Sequence, residues 1–213
     1  MTRSLSSSPK PTPVYPQTPV DKGELGRYFA AAHQAHQAGR LQEAEAGYRR
    51  LLAHLPTHAD SLHLLGMVFH QQGDHTQALE WIQRAISLKK DGRYFGNLGM
   101  VLLKLGQLGS AEAALGEALQ MNPDFVEAHF RLGLVLQNQK RLPQAEAAFR
   151  RAIEIKPSFH PALMNLGQLL LERGDVARAA EAFEQVTRLR LDLASAHCNL
   201  GLAFYTFTEE RSS

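Results

Sequence analysis

Cysteine is almost absent from this chain, with Cys198 alone among 213 residues. A single thiol excludes an internal disulfide framework and fits a reducing compartment. Long apolar runs are missing too. The opening residues MTRSLSSSPKPTP hold no stretch long enough for the core of a signal peptide, and no segment reaches the length of a membrane span. These absences lead to the expectation of a cytoplasmic chain that makes no membrane contact. A surplus of one charge is also lacking. The formal net charge is +2, carried by Arg3, Lys10 and Lys22 against Asp21, and from Gly23 onward acidic and basic residues are equal in number. A nucleic-acid binder concentrates basic side chains on one face, so this balance argues against nucleic acid as a partner.

Signatures of catalysis are equally scarce. There is no glycine-rich phosphate loop, nucleophile elbow or metalloprotease helix motif, and Cys198 lies in a helical pattern with no base to activate it. The 10 histidines raise the question of a metal, chiefly at His33 with His36 and at His54 with His58. Pro56 breaks the helix that would align the second pair, and the first has no carboxylate or cysteine beside it to complete a ligand set. The expectation is a chain that is not an enzyme, with no catalytic residue, no cofactor and no metal.

What the sequence does contain is repetition. Asn97-Leu98-Gly99 returns as Asn165-Leu166-Gly167 and Asn199-Leu200-Gly201, with Arg131-Leu132-Gly133 midway, at a constant step of about 34 residues. Ahead of the repeats, residues 1–24 carry Pro9, Pro11, Pro13, Pro16 and Pro19 among serines and threonines, and read as a disordered tail. The repeats divide into 25–58, 59–91, 92–125, 126–159 and 160–193, followed by a partial unit over 194–213.

Each full unit reads as two helices. In the fourth, Phe130, Leu132, Leu134, Val135 and Leu136 mark the first, and Ala145, Ala148, Phe149, Ala152 and Ile153 the second, which Pro157 ends. Ala32, Gly66, Gly99, Gly133, Gly167 and Gly201 recur in first helices, answered by Ala44, Ala78, Ala111, Ala145 and Ala179 in second helices. A helical glycine costs roughly 1 kcal/mol against alanine, so its return implies a close helix approach. Tyr48, Ile82, Leu115, Phe149 and Phe183 are expected to fill the space between units. Gly39, Gly73, Gly106 and Gly174 suit left-handed turns, and Lys140 stands in that place in the fourth unit. The second unit is one residue short, which points to an irregular connection from Lys89 to Gly92.

These positions resemble the tetratricopeptide repeat, a helix-turn-helix unit with leucine-glycine, alanine, aromatic and proline positions. The resemblance covers residue 25 to about residue 207. It implies an all-α fold: an α-solenoid, a right-handed superhelix of five helix pairs plus a partial sixth, whose first helices line a concave groove.

Packing explains the leucine and glycine of the repeated triplet but not the asparagine, an indifferent helix former. Stacked units place Asn97, Arg131, Asn165 and Asn199 in a row along the groove, which Ala30 and Leu64 break at its start. A primary amide both donates and accepts, so it can hold the backbone of an extended peptide whatever its side chains. A guanidinium only donates and would select carbonyls or carboxylates. Phe29, His63, Phe130, Met164 and Cys198 stand one residue before the row, and His33, Met67, Met100, Leu134 and Gln168 three after it. Together they form an adaptable surface for apolar side chains.

The row is similar to the asparagine ladder in the repeat region of the O-linked N-acetylglucosamine transferases. "HADSLHLLG" and "FVEAHFRLG" also resemble arrays found ahead of bacterial glycosyltransferase domains. Two functions are thereby implied. One is an interaction scaffold that binds an extended peptide through Asn97, Arg131, Asn165, Asn199, His63, Met67, Met100, Phe130 and Met164. The other is the substrate-recognition part of a protein glycosyltransferase without its catalytic domain. Beyond the groove, Leu202, Phe204, Tyr205 and Phe207 give the last helix an apolar face where a solenoid end is ordinarily polar. Self-association through this end, a covering partner, and a shortened form of a longer protein compete as explanations.

Overall fold

The computed structural model describes residues 21–189 and residue 201. The proline tail, the partial sixth unit with Cys198 and Asn199, and the apolar group Leu202, Phe204, Tyr205 and Phe207 lie outside the described residues. Among those described there are ten helices and no strand, arranged as five successive pairs that stack into an α-solenoid. The pairs are α1 (Lys22–Gln37) with α2 (Leu41–His54), α3 (Ala59–Gln71) with α4 (His75–Leu88), and α5 (Gly92–Lys104) with α6 (Leu108–Met121). They continue with α7 (Val126–Asn138) and α8 (Leu142–Ile155), then α9 (His160–Glu172) and α10 (Val176–Leu189). No helix among them is long and apolar enough to cross a membrane.

The first helix starts earlier than expected. Asp21 is its N-cap, accepting from the Glu24 amide at 2.7 Å, so residues 22–24, read from the sequence as tail, belong to α1. A capping carboxylate satisfies a donor that the first turn would otherwise leave unpaired. His58, Asp74 and Asp91 cap α3, α4 and α5 in the same way. This employs His58, one of the histidines considered as a metal ligand, in holding the Ser61 amide.

Within each of the last four pairs a glycine of the first helix is covered by a bulky side chain of the second. A β-carbon on Gly66 would fall 2.7 Å from Ile82, on Gly99 2.5 Å from Leu115, on Gly133 2.5 Å from Phe149 and on Gly167 2.6 Å from Phe183. The four covering residues are completely buried. The sequence pattern assigned them to the space between units. Their first task is instead to close on the glycine of their own unit, because only the absent β-carbon leaves room for a ring or branched chain at that distance. The first pair reverses the arrangement: its first helix carries Ala32, and Gly47 in α2 supplies the missing β-carbon, 2.7 Å from that of Ala32. Burying each such side chain contributes roughly 2–3 kcal/mol, more than the helical glycine costs.

The turns inside the pairs are uniform. Gly39, Gly73, Gly106 and Gly174 have φ between 72° and 88°, and Lys140 adopts the same left-handed conformation at 62°. Between pairs, 55–58, 122–125 and 156–159 each contain a turn, whereas 89–91 has none and runs extended at Lys89 and Asp91. The short connection draws charge to itself: Arg93 pairs with Asp91 at 2.7 Å and approaches Asp60 at 3.7 Å, while Lys89 lies 3.6 Å from Asp91. The Arg93 hydrogen bonds are the main reason that the Asp91 carboxyl is held down at about 2.

Two stability outcomes follow from this geometry. Gly133→Ala is expected to destabilise by about 1–3 kcal/mol through the clash with Phe149, whereas Gly116→Ala in α6, with nothing within 4 Å, stabilises by about 0.5–1 kcal/mol. Equal signs in urea denaturation would contradict the packing account. Lys140→Gly relieves a left-handed lysine and is expected to raise stability by roughly 0.5–1 kcal/mol. A loss in the same assay would show that the lysine side chain contributes more than its backbone costs.

Candidate functional site

The inner face of the solenoid is set by which helices approach one another. Helix α5 packs on both α3 and α7, and no two second helices are in comparable contact. The first helices α3, α5 and α7 therefore lie on the tighter, concave side, which carries Asn97 and Arg131.

The structure joins three side chains across that face. Arg131 Nη1 on α7 meets Asn97 Oδ1 on α5 at 2.9 Å, and Asn97 Nδ2 meets His63 Nε2 on α3 at 2.8 Å. The directions follow from chemistry. A guanidinium only donates, so the Asn97 oxygen must face Arg131 and its NH2 must donate to His63. His63 Nε2 is then an acceptor, and the ring proton sits on Nδ1. Each rung spans 34 residues. In its own unit, however, His63 stands one residue before the row, so the first rung is a diagonal and the Asn97–Arg131 rung is straight.

His63 was expected on the groove surface; it is instead 7% exposed and works from beneath. Its ring stacks on Tyr94 with centroids 4.4 Å apart, and the Tyr94 hydroxyl donates to Asp60 at 2.6 Å. Burial, reinforced by nearby Arg93, lowers the His63 pKa to about 4, so the imidazole is neutral at neutral pH and free to accept. Arg131 lies over Gly96, where a β-carbon would stand 2.8 Å from the Phe125 ring and 3.6 Å from Nη1.

The remaining row and groove residues are placed less uniformly. Asn165 Nδ2 donates to the Pro161 carbonyl one turn back in α9, at 2.8 Å. Asn97 and Asn165 are both half-buried, and each retains one N–H and at least one lone pair after these bonds. Met67, Met100, Phe130 and Met164 are half-buried as well. Phe130 is held against Phe149 and edge-on to Phe159, with centroids 5.9 and 5.5 Å apart. Met67 and Met164 pack onto the core beneath them.

The histidines weighed for metal are engaged in other contacts. His33 stacks on Phe29, and His36 meets the Tyr48 ring edge-on. No group of three or more metal-ligating side chains occurs among the described residues. The triplet pattern alone did not reveal the link from Asn97 to His63, nor the bond from Tyr94 to Asp60. The available signal was complementary polar residues 34 apart, a spacing shared by all three bonds.

Because unfolded histidine titrates near 6.5 and His63 near 4, the unfolded chain takes up a proton that the folded one refuses. This contribution is complete above pH 6.5 and is lost as the pH falls to about 4, amounting to about 3 kcal/mol. His63→Gln keeps an acceptor for Asn97 but does not titrate. The stability difference between wild type and this variant, from urea denaturation, is expected to shift against the wild type by that amount between pH 7 and 4. A pH-independent difference would show that His63 is protonated without penalty.

Comparison with known proteins agrees with the architecture. Residues 97–158 match the family described as Tetratricopeptide repeat, and residues 167–206 match TPR repeat. Residues 37–118 match the family Anaphase-promoting complex, cyclosome, subunit 3. Cellulose synthase operon protein C of Pseudomonas fluorescens (strain SBW25) is 32% identical over 122 residues, which is 53% of this chain and 10% of that protein. The chain thus spans about a tenth of the length of this curated relative. Among solved structures, YrrB, described as a TPR protein with an unusual peptide-binding site, is 25% identical with a TM-score of 0.62, over 79% of this chain and 88% of that one. PilF of Pseudomonas aeruginosa superposes with a TM-score of 0.78 at 21% identity, over 88% of this chain and 86% of the other. With repeat-family matches over residues 97–158 and 167–206, and units from the second to the fifth sharing one glycine-centred helix pairing, the chain carries tetratricopeptide repeats.

Proposed function

We propose that this chain is a protein-interaction scaffold that holds an extended segment of a partner in the groove formed by α1, α3, α5, α7 and α9. The observation that carries the reading is the polar chain His63–Asn97–Arg131 on the concave face. It fixes the amide of Asn97 in one orientation while leaving an N–H and a lone pair for a ligand backbone. Side chains locked by their neighbours lose little entropy when a ligand arrives, so modest contacts yield useful affinity. Asn165 stands at the next position of the row on α9, and Met67, Met100, Phe130 and Met164 supply polarisable and aromatic surface for apolar side chains of the segment. YrrB, at 25% identity, carries a peptide-binding site by its own description, which supports the same use of the fold.

The reading is tested by affinity capture from the source cell, comparing wild type with Asn97→Ala/Asn165→Ala/Asn199→Ala shown to be equally stable. Segments of the captured partner are then titrated by fluorescence anisotropy. The triple variant is expected to bind at least roughly tenfold more weakly, the loss of one to two net hydrogen bonds. Unchanged affinity at unchanged stability would remove the row from the binding surface.

A further inference from the structure

Arg131 differs from the other half-buried arginines among the described residues. Arg49 meets Glu45 at 2.9 Å and Arg141 meets Glu112 at 2.7 Å, whereas Arg27, Arg50 and Arg84, which also lack an ion pair, are exposed to water. Among the described residues Arg131 has no ion pair, and its side-chain hydrogen bond goes to the neutral amide of Asn97. Burial disfavours its charge, and Glu127, one turn back on the same helix, is the single acid that acts on it. A half-buried cation without a counter-charge is costly, and five N–H donors cannot be satisfied by one oxygen.

A second cation, Lys104, lies along the same stretch of the groove, beside a histidine that stays neutral. Lys104 stands two turns beyond Asn97 on α5, and His70 two turns beyond His63 on α3, roughly 10 Å along each helix. Burial first, then the neighbouring His75, and after them Lys104 and Arg131 oppose the protonation of His70, and no carboxylate counters them. His70 Nδ1 is buried without a hydrogen-bond partner. Lys104 is exposed and makes no ion pair among the described residues. The chain as a whole is close to neutral, so this is a local concentration.

We infer that this stretch of the groove takes an acidic side chain of the bound segment, an aspartate or glutamate whose carboxylate accepts from the Arg131 N–H groups that Asn97 leaves unbonded, with Lys104 at the edge of the same site. The inference rests on the reading of the groove as a site for an extended segment, and adds the chemistry that the segment must carry. The planar guanidinium fork suits a carboxylate, which can accept two parallel hydrogen bonds. The bond to Asn97, braced in turn by His63, holds the fork in place before the ligand arrives.

The test uses random twelve-residue peptides displayed on phage and selected on the purified full chain, on Arg131→Gln and on Lys104→Gln. The glutamine at 131 retains an amide that can bond to Asn97, and the change at exposed Lys104 leaves the packing untouched, so it decides the matter if the first variant folds poorly. Peptides selected by the wild type are expected to share Asp or Glu at one position. Replacing that residue by Asn or Gln in a synthetic copy is expected to weaken binding to the wild type by roughly ten- to hundredfold. The preference is expected to fall below about threefold on Arg131→Gln and to shrink by a smaller factor on Lys104→Gln. Equal binding of the acidic and amide peptides to the wild type, or a preference unchanged in both variants, would overturn the inference while leaving the peptide groove standing. Failure of the wild type to select any peptide would overturn the groove reading itself and this inference with it.

Discussion

The seating of one bulky second-helix side chain on one first-helix glycine is the contact from which the rest of this structure follows. Ile82, Leu115, Phe149 and Phe183 each occupy the volume that a β-carbon would take at Gly66, Gly99, Gly133 and Gly167. Such a contact fixes both the separation and the rotation of the two helices, because the knob fits only one way over the gap. Repeating it gives successive units the same internal geometry. First helices then face a common side, and residues equivalent in sequence line up across units.

That alignment is what permits polar side chains to bond from one unit to the next. On the concave face the chain of bonds has a fixed direction, since Arg131 can only donate, Asn97 can do both, and neutral His63 accepts. The stack of His63 on Tyr94, and the hold of Asp60 on the Tyr94 hydroxyl, extend the constraint below the surface. Three units are tied together by these groups. Under the proposed function, rigidity and recognition are properties of the same residues.

Away from the groove, junctions are stitched by carboxylates on second helices. Glu45 accepts from Gln72, Glu112 from Gln139 and Arg141, and Glu146 from Arg173 and Arg178. The corresponding place in α4 is Leu79, which packs onto the core instead. At that junction the charges gather at the short 89–91 connection, among Asp60, Asp91, Lys89 and Arg93. One missing residue therefore relocates the polar stitching without interrupting the array. The exposed pairs contribute little individually and act mainly to set how adjacent units meet.

The period, the helix pairs, the turn glycines and the left-handed Lys140 could be read from the sequence because each depends on residues close together in the chain, through helical periodicity and allowed backbone angles. The pairing of Asn97 with Arg131 was legible for the same reason, as one step of the repeat. The tertiary structure alone decided that Phe149 and its counterparts close on their own unit's glycine. It also buried His63 beneath the groove, joined it diagonally to Asn97, and left Arg131 with an amide rather than a carboxylate for a partner. Each of these depends on how one unit is rotated and shifted against another, and small offsets between helices determine which side chains meet. A linear pattern names the candidates for such contacts, but the packing of whole units selects among them.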